Sequence, residues 1–326
     1  MQALIIGFGQ DAKLLVIKLK EKGIDFKILV RPSTELTSFI PHFIDKNCLF
    51  YGDATDINCI LEIFRKNNFT HVFNVGGNSF SQSSKNNFFQ YLSSNTQILT
   101  NILSVYENMN NLWIYHPLSS EILSGNLKKS FIKPRNAYGV SKVTELYIAD
   151  VASYNDIKIF YPILFNHESC FRSKKFFTAK LILFLLDSKE PILEIWNTNS
   201  ARDFGSASQY MSLILSASLK NKTGSGHLGT SKILSVYNFI NYSLEYLNIQ
   251  YKEGFYKKGL RYWKLNNGKK IVEINRDITD ENRMIVADKN EFYSIFGNKK
   301  LIAGKELVYL LFQEYKLLKN NEYYKV

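Results

Sequence analysis

"ALIIGFGQDA", residues 3 to 12, decides how the rest of the chain is read. Four apolar residues, Ala3 to Ile6, run into the pattern Gly7-x-Gly9-x-x-Ala12. Glycines here allow a tight turn and let backbone N–H groups approach an anion at the start of the next helix. A plain turn satisfies the same pattern. Its position at the first strand-to-helix junction is what gives it weight. The helix follows as "DAKLLVIKLKEKG", with Leu15 and Leu19 one turn apart, Leu14 and Ile17 beside them, and Gly23 as its stop.

Outward from this unit the alternation continues. "FKILV" and "NCLFYGD" read as strands, "DINCILEIFRKN" as a helix, and "HVFNV" as a strand. A helical stretch near 87 to 109, the strand "LWIYH", a helix from near Tyr138 and the run "IKIFYPILF" complete the first half. Strands alternating with helices predict parallel βαβ units, hence an α/β fold with a Rossmann-type doubly wound sheet. After about residue 165 the alternation becomes irregular. We expect residues 1–165 to form a dinucleotide-binding domain and 166–326 a smaller C-terminal substrate domain over the strand ends, with part of 205–240, around "SGHLGT", returning to the first sheet.

Composition bounds the class. The chain has 326 residues, 45% hydrophobic and 21% charged, as an ordinary globular protein has. "MQALIIG" carries no basic leader, and "FFTAKLILFLL" is too short to span a bilayer, so the expected location is the cytoplasm. Cys48, Cys59 and Cys170 form no CxxC pair and read as reduced, buried residues; no metal site is expected. The formal charge of +12 suits an anionic partner, but the lysines are scattered and no nucleic-acid motif occurs. A nucleotide-bearing small molecule fits better than DNA, and nothing points to a membrane.

The second strand ends at Arg31 rather than at an acid. An acid there binds the ribose 2′-hydroxyl of NAD, whereas an arginine neutralises the 2′-phosphate of NADP; a solvated surface arginine is the bland alternative. Asp53, after the third strand, either reaches the adenine edge or caps its own turn. Tyr138 and Lys142, spaced i and i+4, point the same way on a helix. An ammonium beside a phenol favours phenolate, which can take a proton from a sugar hydroxyl. Such a pair is common by chance; here it follows a dinucleotide loop, with serines at the preceding strand end.

This combination resembles the extended short-chain dehydrogenase/reductase family. "HVFNVGGNS" is similar to the segment that runs beneath its cofactor, and Glu121, two after Ser119, is similar to the Thr-x-Glu of its sugar-nucleotide 4,6-dehydratases. "GFGQD", "YGDATD", "KPRNAYGVSK", "ILFNHES" and "RDFGSA" together resemble one branch, the GDP-mannose 4,6-dehydratases, from the N-terminus to about residue 240. The resemblance implies roles. Ser119, Glu121, Tyr138 and Lys142 would be catalytic. Gly7, Phe8, Gly9, Gln10 and Asp11 would hold the cofactor's pyrophosphate region, Arg31, Pro32 and Ser33 its 2′-phosphate, Asp53 and Ala54 its adenine. Val75, Gly76, Gly77 and Ser79 would line its inner side, and His167 and Arg172 would complete the NADP site. Asn166, Lys180, Asn197 and Arg202 would hold a GDP-sugar. Read without it, His167 is a structural histidine and Lys180 a solvated lysine.

The implied reaction gives a 4-keto-6-deoxy sugar from GDP-mannose or a GDP-heptose, with hydride held transiently on NADP, in a dimer or tetramer. Departures from the branch bear on the sugar: a glycine loop one residue shorter, Ser119 for threonine, a single Arg172 after "NHES", a short segment between Glu121 and Tyr138, and Ile278 three residues before Glu281. A 4-epimerase, 4-dehydrogenase or ketoreductase of the same fold is the alternative, and a cofactor-retaining relative without turnover is the alternative of another class.

Overall fold

The computed structural model describes residues 1–34, 44–77, 88–106, 109, 111–126, 130–256, 259–275 and 284–320. Ser79, Ile278 and Glu281 lie outside the described residues.

The opening unit folds as its pattern demands. Strand β1 (Gln2–Ile6) is buried from Ala3 onward, as a strand covered on both faces must be. Helix α1 (Gln10–Glu21) buries Leu14, Leu15, Ile17 and Leu19 against the sheet. It ends at Gly23, which takes φ +63° so that Gly23 and Ile24 can return N–H bonds to Lys20 and Leu19. Next come β2 (Asp25–Val30), β3 (Leu49–Tyr51), α2 (Ile57–Arg65), β4 (His71–Asn74), α3 (Phe88–Tyr106) and β5 (Trp113–Tyr115). Asp56 caps α2 through its own carboxylate.

The 159–164 run is not one strand. Pro162 interrupts it between β9 (Ile159–Phe160), which joins β5, and β10 (Ile163–Leu164), which pairs with β6 (Leu118–Ser119). The central sheet therefore runs β3-β2-β1-β4-β5-β9, all parallel, with Ile5 beside Ile28 on one side and Phe73 on the other. The strand order reverses between β1 and β4, where such sheets bind ligands.

Beyond β6 lie a 3₁₀ turn (Ser120–Ile122), the hairpin β7 (Leu123–Gly125) and β8 (Ser130–Ile132), and α4 (Ala137–Tyr154), which leads into β9. After β10 come β11 (Asn166–Glu168), α5 (Phe177–Leu186), β12 (Ile192–Ile195), β13 (Ala201–Ser206), α6 (Ala207–Ser218) and β14 (His227–Leu228). The apolar run "FFTAKLILFLL" is thus α5. The chain closes with β15 (Ile233–Ser235), α7 (Val236–Tyr246), β16 (Tyr251–Phe255), β17 (Arg261–Leu265), β18 (Lys270–Glu273), α8 (Lys289–Phe296) and α9 (Lys305–Lys319).

Apolar side chains gather on both faces of the sheet. One cluster holds α2, α3 and α4; the other holds α1 and α6 and includes Trp113, whose indole N–H donates to Lys222 O at 2.7 Å. A third lies among α5, α7, α9, β17 and β18. β14 pairs with β10, and α6 packs on α1, so the 207–228 segment leans on the first sheet's layer. Of the three cysteines only Cys170 is fully buried; Cys48 and Cys59 are half-buried, short of the burial their reduced state suggested. Among the described residues no helix is long and apolar enough to cross a membrane.

Candidate active site

A cleft of about 690 Å³ opens along the carboxyl ends of β1 to β6. It is lined in turn by Gly7 to Asp11 after β1, Arg31 and Thr34 after β2, Gly52 to Thr55 after β3, and Val75 to Gly77 after β4. Tyr138 and Lys142 of α4, Ser119 and Glu121, and Asn166, His167 and Arg172 line the rest. The volume suits a small-molecule site.

The phosphate loop is shaped by contact. A side chain on Gly7, which sits at φ +102°, would come 2.8 Å from Gly76 Cα, so the first glycine lets the β1 and β4 ends meet. A side chain on Gly9 would meet nothing within 4 Å, since its open side is the cleft itself. Gly9 is also the N-cap of α1 and supplies no capping side chain. The first N–H groups of α1 therefore face a space that an anion can enter, and the residues fit the pyrophosphate of a dinucleotide.

Gln10 and Asp11 turn toward protein. Gln10 donates to His167 O at 3.1 Å and accepts from Ser169 at 2.9 Å, stitching α1 to the 167–169 segment. Asp11 lies 3.1 Å from His167 Nε2, while His167 Nδ1 faces Phe165 O at 2.8 Å. Both ring nitrogens meet acceptors, which calls for the imidazolium. Burial pushes the imidazole down, but the Asp11 charge and hydrogen bond outweigh it and raise its pKa. Burial likewise pushes the Asp11 carboxyl up, and His167 and then Arg172 more than reverse this, leaving it below the usual carboxylate range.

These directions fix a pH dependence. His167 contributes fully below its unfolded value of about 6.5 and the contribution is lost as pH rises through the raised folded value; Asp11 contributes above about 3.9 and loses it as pH falls through the lowered one. The stability difference between the natural chain and Asp11→Asn should be largest between roughly pH 4 and 6.5 and should narrow at higher pH. Urea midpoints across pH check this; a difference independent of pH would break the pairing.

Around the adenine end, Asp53 accepts from both Thr55 N and Thr55 Oγ1 at 2.9 Å, so it does cap its own turn while lining the cleft. Asn101 Nδ2 holds Ala54 O at 2.9 Å. Arg31 is exposed at the cleft edge. Pro32 and Ser33 occupy the exposed turn beyond it, outside the lining, and Thr34 lines the cleft instead.

At the other end Ser119 and Glu121 flank the start of α4. Asn136 caps α4 by accepting from Gly139 N at 2.7 Å, and its amide donates to Glu121 Oε2 at 3.1 Å. A side chain on Gly139 would come 2.7 Å from Glu121 O, so this glycine sets how closely the turn bearing Glu121 approaches the helix bearing Tyr138. Lys142 Nζ stands 5.9 Å from the centre of the Tyr138 ring and donates to Pro117 O at 2.9 Å. The lowering that the i, i+4 spacing leads us to expect is outweighed: burial raises the Tyr138 pKa, Lys142 and the Ser119 hydroxyl pull it down without cancelling the rise, and Glu145 and Glu121 add to it.

Arg172 lays its guanidinium 3.6 Å from the centre of the Phe176 ring and 3.4 Å from the Glu168 carboxylate. A small neighbouring recess is lined by Ser120, Glu121, Asn166 and Arg202. Lys180 is exposed on α5 and Asn197 is buried in the turn after β12; neither lines the cleft. Sequence reasoning missed Asn95, which donates to Ser141 at 3.1 Å, and Glu145, one turn after Lys142; their helix spacing was the available signal. His116 and Asn74, which stand behind Glu145, had none.

Fold and cleft together define an extended short-chain dehydrogenase/reductase. UDP-glucose 4-epimerase from Thermotoga maritima superimposes with a TM-score of 0.80 at 16% identity, covering 98% of this chain and 100% of that one. dTDP-glucose 4,6-dehydratase from Bacillus anthracis does so at 0.76 and 12%, covering 100% and 99%. The family model described as GDP-mannose 4,6 dehydratase matches residues 4–309. A GDP-mannose 4,6-dehydratase of Sordaria araneosa is 26% identical over 84% of this chain; the chain spans about half of that relative, 54%. The Homo sapiens GDP-mannose 4,6 dehydratase is 27% identical, over 74% of this chain and 71% of its own. The chain belongs to the GDP-mannose 4,6-dehydratase family.

Proposed function

We propose that this enzyme converts GDP-mannose or a GDP-heptose to its 4-keto-6-deoxy form, with NADP as cofactor. The observation that carries the reading is a carboxylate, Glu121, facing the same cleft as Tyr138 and Lys142. A simple dehydrogenase or epimerase has no use for a second base there. When bound, the nicotinamide supplies a reversible store for the hydride that leaves carbon 4 and returns to carbon 6.

The chain does the rest. Tyr138 takes the proton of the sugar 4-hydroxyl, with Lys142 and Ser119 holding it in place. The ketone formed at carbon 4 acidifies the hydrogen on carbon 5, and Glu121 removes it. As the carbon 6–oxygen bond breaks, Glu121 returns that proton to the leaving hydroxyl, which departs as water. When carbon 6 regains hydride, carbon 5 is reprotonated, which balances the proton Tyr138 took from the 4-hydroxyl. Each such proton transfer is worth about 10²–10⁴-fold. Asn166 and Arg202, beside Glu121 in the recess, are the residues we assign to the sugar nucleotide. Incubation with a panel of GDP-sugars, followed by mass spectrometry, tests the reading: loss of water is expected, and an epimer of unchanged mass would overturn it.

Arg31 carries the NADP preference. Its guanidinium stands at the cleft edge where an acid would favour NAD. Arg31→Glu should lower the preference for NADP over NAD roughly 10- to 100-fold, the worth of a charge-assisted hydrogen bond. Titration with both dinucleotides measures it, and an unchanged ratio would remove Arg31 from the choice. Three cysteines in the thiol state suit the cytoplasm, and the exposed Tyr147, Val151 and Tyr154 on α4 support a homo-oligomer.

A further inference from the structure

Behind Lys142 stands a line of buried polar side chains that the proton transfers do not use. Lys142 Nζ lies 2.7 Å from Glu145 Oε2, and the same oxygen lies 2.6 Å from His116 Nε2. His116 Nδ1 in turn lies 2.9 Å from Asn74 Nδ2. All four side chains are buried, Glu145 completely. Glu145 Oε1 accepts no hydrogen bond among the described residues, so both contacts fall on one oxygen.

The protons can be assigned from the partners and the charges around them. Burial pushes the Glu145 carboxyl up, but Lys142 and His116 outweigh it and leave it ionised, an acceptor only. His116 Nε2 must then donate to it, which makes Nδ1 the acceptor of the Asn74 amide. Burial lowers the His116 pKa further than Glu145 can restore, so the ring is neutral. The line reads Asn74 to His116 to Glu145, met from the other side by the ammonium of Lys142.

A carboxylate 2.7 Å away and Pro117 O at 2.9 Å hold the Lys142 ammonium in place. The carboxylate also sets a negative charge behind the ammonium, so Tyr138 sees an ion pair rather than a bare cation. The charged groups facing Tyr138 are Lys142 and Glu145 on its own helix and Glu121 on the 3₁₀ turn.

We propose that Glu145 is a positioning residue for the Tyr138–Lys142 pair: backed by His116 and Asn74, its carboxylate anchors the Lys142 ammonium at the cleft floor and offsets that ammonium's field at the Tyr138 oxygen. The proposal rests on the reading of Tyr138 and Lys142 as the acid–base pair. It concerns a charge on α4 that reaches substrate only through them.

The test is a phenolate titration by ultraviolet absorbance on the full chain as purified. Subtracting Tyr138→Phe isolates the one tyrosine, in the natural background and in Glu145→Gln. The Tyr138 step should move to lower pH in Glu145→Gln by on the order of one pH unit, and the rising limb of the rate–pH profile should move with it. A structural role alone would lower the melting temperature and leave the step where it was; an unmoved step overturns the proposal. Should Glu145→Gln fail to fold, Glu145→Asp takes its place: it keeps the charge but draws it one methylene away from Lys142, so the Tyr138 step should again move to lower pH, by less, and an unmoved step overturns the proposal. Full activity in Tyr138→Phe would instead sink the functional reading, while the absorbance step still reports on Glu145.

Discussion

Glu121→Gln should form little or no dehydrated product while binding cofactor as the natural chain does. The substitution keeps size and shape, and a glutamine oxygen can still accept the Asn136 amide that now lies 3.1 Å from Glu121 Oε2. What it loses is the base. Tyr138 and Lys142 are untouched, so oxidation at carbon 4 should still proceed, and the reaction should stall with the sugar oxidised and the oxygen at carbon 6 in place. The rate of water loss should fall by about 10²–10⁴-fold, the range for a missing general base. Mass spectrometry reads the water, and absorbance of the reduced nicotinamide reads the stalled step. Undiminished dehydration would take Glu121 out of the chemistry and with it the argument against an epimerase.

Much of the fold was legible because its signals are local. Ile5, Gly7 and Gly9 sit in one short stretch whose order of apolar and glycine residues leaves few alternatives, and α1 follows with its buried stripe and its glycine stop. The paired Tyr138 and Lys142 were legible for the same reason, since helix geometry fixes their relation without help from the rest of the chain. The run at 159–164 was not. Which residues pair with β5 and which with β6 is decided by where Pro162 removes an N–H and by strands far off in sequence.

The candidate site divides along the same line. Residues of contiguous motifs, such as Gly7 to Asp11, came together in the cleft. Lys180 and Asn197 were carried over across irregular sequence, and no local pattern tested them; one is exposed on α5 and the other closes a turn by accepting from Asn199 N at 2.9 Å. His116 was invisible because its partners come from a different strand and a different helix. Tertiary structure alone brings Asn74, His116 and Glu145 into one line.

Tyr138→Phe is the complementary substitution, and its failure should come one step earlier. Phenylalanine keeps the ring packed at the head of α4 and removes only the oxygen. The loss in stability should stay within about 1 kcal/mol, the net worth of a hydrogen bond. Turnover should fall by about 10²–10⁴-fold, because the other base that we assign in the cleft, Glu121, serves carbon 5 and not the 4-hydroxyl. Lys142 is held by Glu145 and Pro117 O and is an ammonium with no lone pair to offer. Unlike Glu121→Gln, this variant should show no substrate-dependent reduction of the nicotinamide at all. The pair of variants thus orders the two bases in time: one blocks before the ketone, the other after it. Reduced nicotinamide accumulating in Tyr138→Phe, or its absence in Glu121→Gln with Tyr138 intact, would reverse the assignment of the two residues.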